Sequence, residues 1–359
     1  MIDLSFLGWK PFFEQQTRPE GSEHWFPGRV INEERGLYRV HCGKREWLAE
    51  LPGRWRYEGV SKGELPAVGD WVYLEHPKHS ERGIVRWRLD RFSHFSRKRV
   101  GEVQQQVVAA NIDTLLIVMS LNQDFNLRRL ERYLVMAWES QLNPVILLTK
   151  ADLSPNSTEL AAEVEGVAWG VPTHIVSVLH DEGMEPLEAY LQPGQTLALV
   201  GSSGVGKSTL LNYWMQDELQ DTGGVRGGDD KGKHTTTSRT LFFLRSGAMV
   251  IDTPGMRELQ LWNSEEGFKN AFSDVEQYTE HCRFRDCTHQ NEPGCGILAA
   301  LEEGVLTEER LQSYRKLQRE LAYLERKQDK EAQRNERRKW KAISVQAKVH
   351  SRIKKQGGW

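Results

Sequence analysis

The sequence predicts three folded domains in series: a small β-barrel, an α/β domain around a parallel sheet, and an α-helical domain that carries a cluster of cysteines. Short β-rich segments separated by turn residues fill roughly the first hundred residues. From Gly101 apolar runs alternate with helical patterns, which is typical of a doubly wound parallel sheet. Beyond Trp262 the pattern is helical. We therefore expect domains at 1–100, 101–262 and 263–325, and a basic tail over 326–359.

The composition is that of a globular protein: of 359 residues, 38% are hydrophobic and 27% are charged. No apolar run approaches the ~20 residues that span a bilayer, and the start lacks the pattern of a signal peptide. We expect a cytoplasmic protein with no membrane partner. No heptad seam or apolar dimer face is evident, which favours a monomer. The net charge is −2, yet twelve of the 34 residues from Arg326 onward are Lys or Arg.

In the first domain, strand-like segments such as GDWVYLE and GIVRWRL are separated by turns. A five-stranded oligonucleotide-binding (OB) barrel is one candidate, and the exposed face of such barrels commonly holds nucleic acid. Aromatic and basic residues alternate here in a way that suits base stacking and phosphate contact. The same alternation also occurs where strand aromatics pack and arginines are merely solvated. The alternating residues are Arg54, Trp55, Arg56 and Tyr57, then Arg86, Trp87 and Arg88.

The strongest motif follows the apolar run TLALV and leads into a helical pattern, the strand–loop–helix context of a phosphate-binding P-loop. Its glycines let the backbone N–H groups point at phosphate oxygens. We expect Lys207 to reach the β- and γ-phosphates and the Ser208 hydroxyl to ligate Mg²⁺. The motif indicates a nucleoside triphosphate and leaves the base open. The predicted phosphate-binding residues are Gly201, Ser202, Ser203, Gly204, Val205, Gly206, Lys207, Ser208 and Thr209.

A second phosphate element, Asp-Thr-Pro-Gly, follows the apolar run AMVI. Its Asp252 is expected to hold the Mg²⁺ shell, and the N–H of Gly255 is expected to sense the γ-phosphate, which would make the next loop a switch. Between the two phosphate elements lies a glycine-rich segment with three consecutive threonines. We expect Thr236 to bind Mg²⁺ in the triphosphate state, with Thr235 and Thr237 as alternatives.

A guanine site is predicted upstream, where Thr-Lys-Ala-Asp resembles the [NT]KxD motif of GTPases. The Asp152 carboxylate can accept two hydrogen bonds from guanine, and adenine lacks that donor pair. The Lys150 stem would lie over the ring. Thr149 stands where Asn is commonest, which we expect to weaken one loop-bracing hydrogen bond. The predicted base-site residues are Thr149, Lys150, Ala151 and Asp152, with Ser177 and Val178 as the fifth motif.

The order of these motifs is unusual, because the base motif precedes the phosphate loop by about fifty residues. Small GTPases usually run from phosphate loop through the switches to the base motif. The order therefore indicates a circular permutation. In this arrangement the second switch runs directly into the C-terminal region, so nucleotide state could move the C-terminal domain.

A metal site is predicted from the spacing C-x4-C-x-H-x5-C, formed by Cys282, Cys287, His289 and Cys295. Three thiolates and an imidazole suit tetrahedral Zn²⁺, and a closed set of four ligands indicates a structural ion. Such an ion can supply about 10–16 kcal/mol of apparent binding free energy to a small domain. His281 is the competing imidazole.

Together, the permuted base motif, GKHTTT before DTPG, and the Cys/His cluster resemble the ribosome small-subunit-dependent GTPase A family of circularly permuted GTPases. The resemblance covers nearly the whole chain, and GDWV and RFSHFSRKRVG extend it to an OB barrel. It implies GTP hydrolysis stimulated by the small ribosomal subunit, a role late in the maturation of that subunit, and release once GTP is spent. It also implies contact of barrel, zinc domain and tail with 16S rRNA or ribosomal proteins.

The same resemblance implies His234 as the catalytic residue. Many GTPases place a water-orienting Gln after DxxG, but Met256 follows Gly255 here, and a thioether cannot orient water. The residues leave three alternatives open. These are a nucleotide-gated RNA-binding scaffold with negligible turnover, an ATP-dependent enzyme, and a GTPase directed to tRNA or DNA.

Overall fold

In a computed structural model the described residues are 3–34, 36–53, 55, 63–77, 80–98, 105–215, 239–253, 265–324 and 326. The first five strands close into a barrel: β1 pairs with β2 and β4, β2 with β3, β3 with β5, and β5 with β4. Only the β3–β5 pair within this barrel is parallel. The predicted OB-type barrel is thereby confirmed. Its strands are β1 (Phe26–Glu34), β2 (Leu37–His41), β3 (Glu46–Glu50), β4 (Trp71–Glu75) and β5 (Gly83–Arg88).

Strand alternation explains how the barrel is filled and covered. In β4, Val72 and Leu74 point into the barrel core, whereas Trp71 and Tyr73 point outward, as the period of two requires. The outward pair packs against the N-terminal segment, where Phe13 of the short helix α1 (Pro11–Glu14) is buried against Trp71. The N-terminal segment therefore seals one outer face of the barrel.

The second unit is a mostly parallel sheet in the order β10-β9-β8-β11-β13-β12, in which β12 alone runs antiparallel to its neighbour β13. β12 also pairs with β1 of the barrel, Asn32 opposite Thr240, so barrel and sheet form one continuous eleven-stranded sheet. β6 (His94–Lys98) and β7 (Gln105–Ala110) form a separate ribbon. The remaining strands are β8 (Thr114–Ser120), β9 (Asn143–Thr149), β10 (Thr173–Ile175), β11 (Thr196–Val200), β12 (Arg239–Phe243) and β13 (Met249–Asp252).

Helices cover both faces of the parallel sheet, as its all-apolar strands require. The helices of the α/β domain and the C-terminal domain are α2 (Leu127–Glu139), α3 (Ser157–Val167), α4 (Lys207–Met215), α5 (Glu265–Ala271), α6 (Ser273–Thr279), α7 (Gly296–Glu302) and α8 (308–324). Short 3₁₀ turns lie at Ser5–Leu7, Ala151–Leu153 and Glu185–Tyr190. Among the described helices none is long and apolar enough to cross a membrane.

Two hydrophobic cores lie on opposite faces of the sheet. One contains Leu211 and Trp214 of α4. The other contains Leu134 of α2 and continues without a break to Phe272 and Leu311 of the C-terminal helices. The C-terminal helical domain is thus packed on the outer side of α2 and shares a core with the sheet.

The permuted order follows from this topology. β9, which carries the base motif, precedes β11, which carries the phosphate loop, yet both run parallel to β8 between them. Their carboxyl ends therefore meet at the same edge of the sheet, which is where ligands bind in open α/β folds.

Candidate functional site

The phosphate loop begins where β11 ends, and its shape depends on glycine. Gly201, Gly204 and Gly206 have φ values of 147°, 82° and 101°, a region that side chains with a Cβ rarely adopt. A Cβ on Gly201 would also collide with the carbonyl of Val118 in β8. The loop then enters α4 at Lys207, with Ser208 and Thr209 partly buried in the first turn. This places backbone N–H groups and a helix N-terminus around one concave spot.

Lys207 lies across the mouth of the loop. Its Nζ donates to the carbonyls of Gly201 (2.8 Å) and Ser202 (2.5 Å). Burial lowers the pKa of Lys207 to about 8, while the charges of Asp252 and Asp124 act in the opposite direction. An ammonium held in this way can be transferred from loop carbonyls to phosphate oxygens when a nucleotide enters.

Asp252 is the last residue of β13 and is buried, with 8% of its surface exposed. β13 pairs with β11 in register, Asp252 beside Leu199, and the hydroxyl of Thr253 donates to the Leu199 carbonyl (2.6 Å). The strand pairing therefore fixes a carboxylate next to the phosphate loop. Together with the Ser208 hydroxyl, this carboxylate is suited to a Mg²⁺ ion and its water shell.

Several predicted positions lie outside the described residues. They are His234, the switch threonines Thr235, Thr236 and Thr237, Gly255 with Met256 after it, Arg54, Arg56 and Tyr57 of the first domain, and the tail from 327 onward.

The base motif and the fifth motif lie side by side. Lys150 takes a left-handed conformation (φ 59°), which turns the chain into the short 3₁₀ helix that contains Ala151 and Asp152. The Ser177 hydroxyl donates to Asp152 Oδ1 (2.7 Å) and also lies 3.1 Å from His180 Nδ1. A carboxylate anchored on one side in this way keeps acceptor capacity for a ligand on the other. Val178 follows, half-buried, beside the same loop.

The Thr149 side chain braces the phosphate loop. It is buried, and its hydroxyl donates to the Val205 carbonyl in the phosphate loop at 2.6 Å. A hydroxyl can make this bond because β9 and the phosphate loop approach closely. The expected weakening relative to Asn stays a prediction. Base motif and phosphate loop are joined directly.

Asp124, which was not among the predicted site residues, follows β8 at the same edge of the sheet. Its Oδ2 accepts a hydrogen bond from the Ser202 hydroxyl and lies 2.7 Å from Arg129 Nη2. The signal available in the sequence was its position, just after the carboxyl end of a buried parallel strand. No short motif identifies it.

The four predicted metal ligands come together near the C-terminus. The ligand atoms of Cys282, Cys287, His289 and Cys295 all lie within 4.8 Å of one another. His289 Nδ1 is 3.5 Å from Cys282 Sγ and from Cys295 Sγ, and those two sulfurs are 3.9 Å apart. Three soft thiols and an imidazole in a closed cluster fit a tetrahedral ion. The competing His281 places its Nδ1 at 3.1 Å from the Gln277 carbonyl and is outside the cluster.

The surroundings of the cluster favour ligation. The N–H of Gly296 donates to Cys282 Sγ (3.4 Å), and Arg315 donates to the His289 carbonyl. Burial lowers the pKa of His289, which favours the neutral imidazole that metals bind. Cys295 immediately precedes α7, so the cluster ties a loop to a helix of the C-terminal domain.

Comparisons with known proteins agree with this geometry. The family model described as RsgA GTPase matches residues 88–262, which include base motif and phosphate loop. A model described as ABC transporter matches residues 184–352, a range that contains the phosphate loop but not the base motif at residues 149–152. The phosphate loop is the nucleotide-binding motif that this range includes.

Relatives match almost the whole chain. A Listeria monocytogenes protein named small ribosomal subunit biogenesis GTPase RsgA 2 is 45% identical over 97% of this chain and 98% of its own length. The crystal structure of YjeQ from Thermotoga maritima has a TM-score of 0.62 at 27% identity and covers 83% of this chain and 99% of its own. YloQ, a circularly permuted GTPase, shares the fold with a TM-score of 0.56 at 22% identity, over 85% and 98% of the two chains. The chain therefore hydrolyses GTP and belongs to the RsgA GTPase family.

Proposed function

We propose that this GTPase binds the small ribosomal subunit late in the maturation of that subunit, that the subunit stimulates hydrolysis, and that spent GTP releases the protein. The observation that supports this best is the 45% identity, over nearly the whole chain, to a protein named for small-subunit biogenesis. The alignment covers 97% of the chain, so it includes the barrel and the C-terminal domain as well as the nucleotide site.

The proposed nucleotide contacts follow the geometry of the sheet edge. Asp152 accepts from guanine N1 and N2, Lys150 covers the ring, and Ser177 orients Asp152 through its 2.7 Å hydrogen bond. The phosphate loop from Gly201 to Thr209 wraps the phosphates, with Lys207 on the β- and γ-oxygens. The proposed Mg²⁺ ligands are Ser208, Asp252 through water, and Thr236, with Gly255 sensing the γ-phosphate.

For the chemical step we propose His234. GTP hydrolysis needs a group that orients the attacking water, and Met256 cannot do so. A neutral imidazole can accept a hydrogen bond from water once the first switch is ordered. Intrinsic turnover is then slow, and the ribosomal subunit accelerates it by ordering that segment.

For the Cys/His cluster we propose one structural Zn²⁺ per chain. All four cluster residues are protein ligands, so no coordination position is left for a substrate, which distinguishes a structural from a catalytic site.

The proposed ribosomal contacts are the barrel, the zinc domain and the basic tail, acting on 16S rRNA and ribosomal proteins. On the barrel, Arg45 stacks over Trp47 (3.7 Å to the ring centroid) and Trp87 is 45% exposed, so charge and aromatic surface are both available. We further propose that the chain is a monomer in the cytoplasm, where the subunit matures, and that its units are 1–100, 101–262, 263–325 and 326–359.

The test is GTP turnover by the purified protein alone, with small ribosomal subunits, and with large subunits as the control. The proposal requires strong stimulation by small subunits only. Binding of GTP without any stimulation would support the nucleotide site but contradict the small ribosomal subunit as the partner. Negligible turnover under all conditions would favour a nucleotide-gated scaffold.

A further inference from the structure

Asp124 connects the phosphate loop to a helix that no GTP-binding motif includes. Its Oδ2 accepts a hydrogen bond from the Ser202 hydroxyl in the loop. The same oxygen lies 2.7 Å from Nη2 of Arg129, which also donates to the Asp124 carbonyl. Arg129 lies in the first turn of α2, where the Asn126 side chain caps the helix by accepting from the Arg129 N–H (3.0 Å). The loop and the start of α2 are therefore tied together by a charged pair.

The next residues of α2 tie this helix to the C-terminal domain. Glu131 is buried, with 3% of its surface exposed, and its Oε1 accepts from Arg310 (2.7 Å). Arg310, also buried, donates to both carboxylate oxygens of Asp274 (2.8 and 2.7 Å) and to the Ala271 carbonyl (2.8 Å). Ionised groups at this depth are stable only with their partners in place. Separating the C-terminal domain from α2 would therefore leave buried charges unpaired.

The two ionic clusters lie on one short, rigid element. Residues 129 and 131 are in the first two turns of α2, so a shift of the helix moves both. The helix is held on its outer side by Arg310 and at its start by Asn126, and it holds the phosphate loop through Asp124.

We propose that Asp124 is a positioning residue through which the docked C-terminal domain sets the geometry of the phosphate loop, and hence its affinity for GTP and GDP. The proposal rests on the phosphate site of the proposed function. Affinity coupling is reciprocal, so bound nucleotide also strengthens docking of the C-terminal domain. A partner that pulls on this domain therefore weakens nucleotide binding without touching the nucleotide.

The first experiment measures affinity for fluorescent GTP and GDP analogues in Asp124→Ala, Ser202→Ala and the double variant. Each single change should weaken both nucleotides by about tenfold, the scale of a charge-assisted hydrogen bond. The double variant should bind nucleotide no more weakly than the weaker-binding single variant, because both changes remove the same hydrogen bond. In Asp124→Ala, turnover at saturating GTP should change less than twofold, so that KM and not kcat reports the effect. Unchanged affinity in Asp124→Ala, or additive losses, would overturn the proposal.

The second experiment tests the link to the C-terminal domain. Arg310→Lys keeps the charge but loses the planar fork that binds Asp274 and Glu131 together. We expect nucleotide affinity to fall severalfold in Arg310→Lys, and we expect the double variant with Asp124→Ala to bind no more weakly than Asp124→Ala alone. The matched control is Glu320→Gln, because Arg132 and Glu320 join the same two helices (2.6 Å) at a position about one third exposed and unconnected to Asp124. Equal affinity in Arg310→Lys and wild type would overturn the link.

Metal content of each variant shows that the C-terminal domain is folded. If Arg310→Lys loses its metal, Ser313→Ala replaces it, since this change removes only the 2.6 Å hydrogen bond to Glu131 Oε2 and strands no buried cation. Failure of the wild-type protein to bind GTP would contradict the proposed function. Normal binding by wild type and by all variants would contradict only this inference.

Discussion

The nucleotide site and the metal site of this chain are built in opposite ways. The described nucleotide-site residues run from Thr149 to Asp252 and lie on four parallel strands (β9, β10, β11 and β13) and the segments that follow them. The metal ligands all fall between Cys282 and Cys295, and from Glu280 to Gly294 no residue is buried. One site is assembled by a sheet with an apolar core on each face, and the other lies in a segment with almost no core.

This difference indicates what orders each site, the surrounding fold or the ligands themselves. At the nucleotide site the fold comes first: strands β8, β9 and β11 pair through apolar side chains, and the ligand-binding residues are placed where those strands end. At the metal site the ligands contribute more to the local order, because the loop from 280 to 294 has only hydrogen bonds and partly buried side chains to hold it. Removing a ligand should therefore disrupt local folding at the metal site and only binding at the nucleotide site.

The largest expected effect is at the metal site. Cys295→Ser removes a buried sulfur ligand and with it much of the ~10–16 kcal/mol that the proposed structural Zn²⁺ would supply. We expect loss of bound metal, measured by elemental analysis, and rapid protease cleavage within 280–295. GTP should still bind, with affinity reduced by about tenfold at most, which is the scale of the charge-assisted hydrogen bond proposed at Asp124. His281→Ala is the control and should keep its metal, and full metal content in Cys295→Ser would contradict the ligand set.

The second largest effect is expected at Asp152, the proposed guanine contact. Asp152→Asn keeps the shape of the side chain and its contact with Ser177, but replaces one acceptor by a donor. GTP affinity should fall on the order of 10³-fold. Affinity for xanthosine triphosphate should rise, because this nucleotide carries an acceptor where guanine has its amino group. Metal content should not change. Asp181→Asn is a matched control, since Asp181 lies in the same region and bonds to Tyr213; a similar loss in that variant would argue against a base contact by Asp152.

The same contrast explains what could be predicted from the sequence. The phosphate loop, the base motif and the Cys/His cluster are local patterns whose spacing carries their chemistry, and the alternation of apolar runs predicts the parallel sheet. The Thr149–Val205 hydrogen bond joins residues 56 positions apart, and the β1–β12 pairing joins residues more than 200 apart. No spacing rule encodes such contacts, because they depend on how closely two finished elements approach. Asp124 was missed for this reason.

Thr149→Val tests that long-range bond. Valine has nearly the same volume but cannot donate, so the buried Val205 carbonyl loses its 2.6 Å partner at a cost of about 1–3 kcal/mol in the free energy of unfolding. The loop is then less well held, and GTP affinity should fall with it. Thr149→Ser keeps the hydroxyl and is the control. Denaturant unfolding measures the free energy of unfolding, and nucleotide titration measures the GTP affinity. If both were equal in Thr149→Val and wild type, the Thr149 hydrogen bond would not be needed to hold the loop.

The smallest effect concerns the pH dependence of Lys207. Burial lowers its pKa from 10.5 to about 8 in the folded protein, so between these values the unfolded chain binds more protons than the native state. The free energy of unfolding of the nucleotide-free protein should therefore rise with pH in this range, by at most about 1.4 kcal/mol per pH unit, and should not depend on Lys207 below pH 8. GTP affinity should fall over the same range, because the phosphates require the ammonium. Lys207→Met removes both trends, so the difference between wild type and this variant isolates them; parallel unfolding curves would mean that the loop carbonyls of Gly201 and Ser202 fully offset the loss of water around the ammonium. In that case the phosphate loop alone would stabilise the Lys207 ammonium, much as the residues of the Cys/His cluster would stabilise a bound ion.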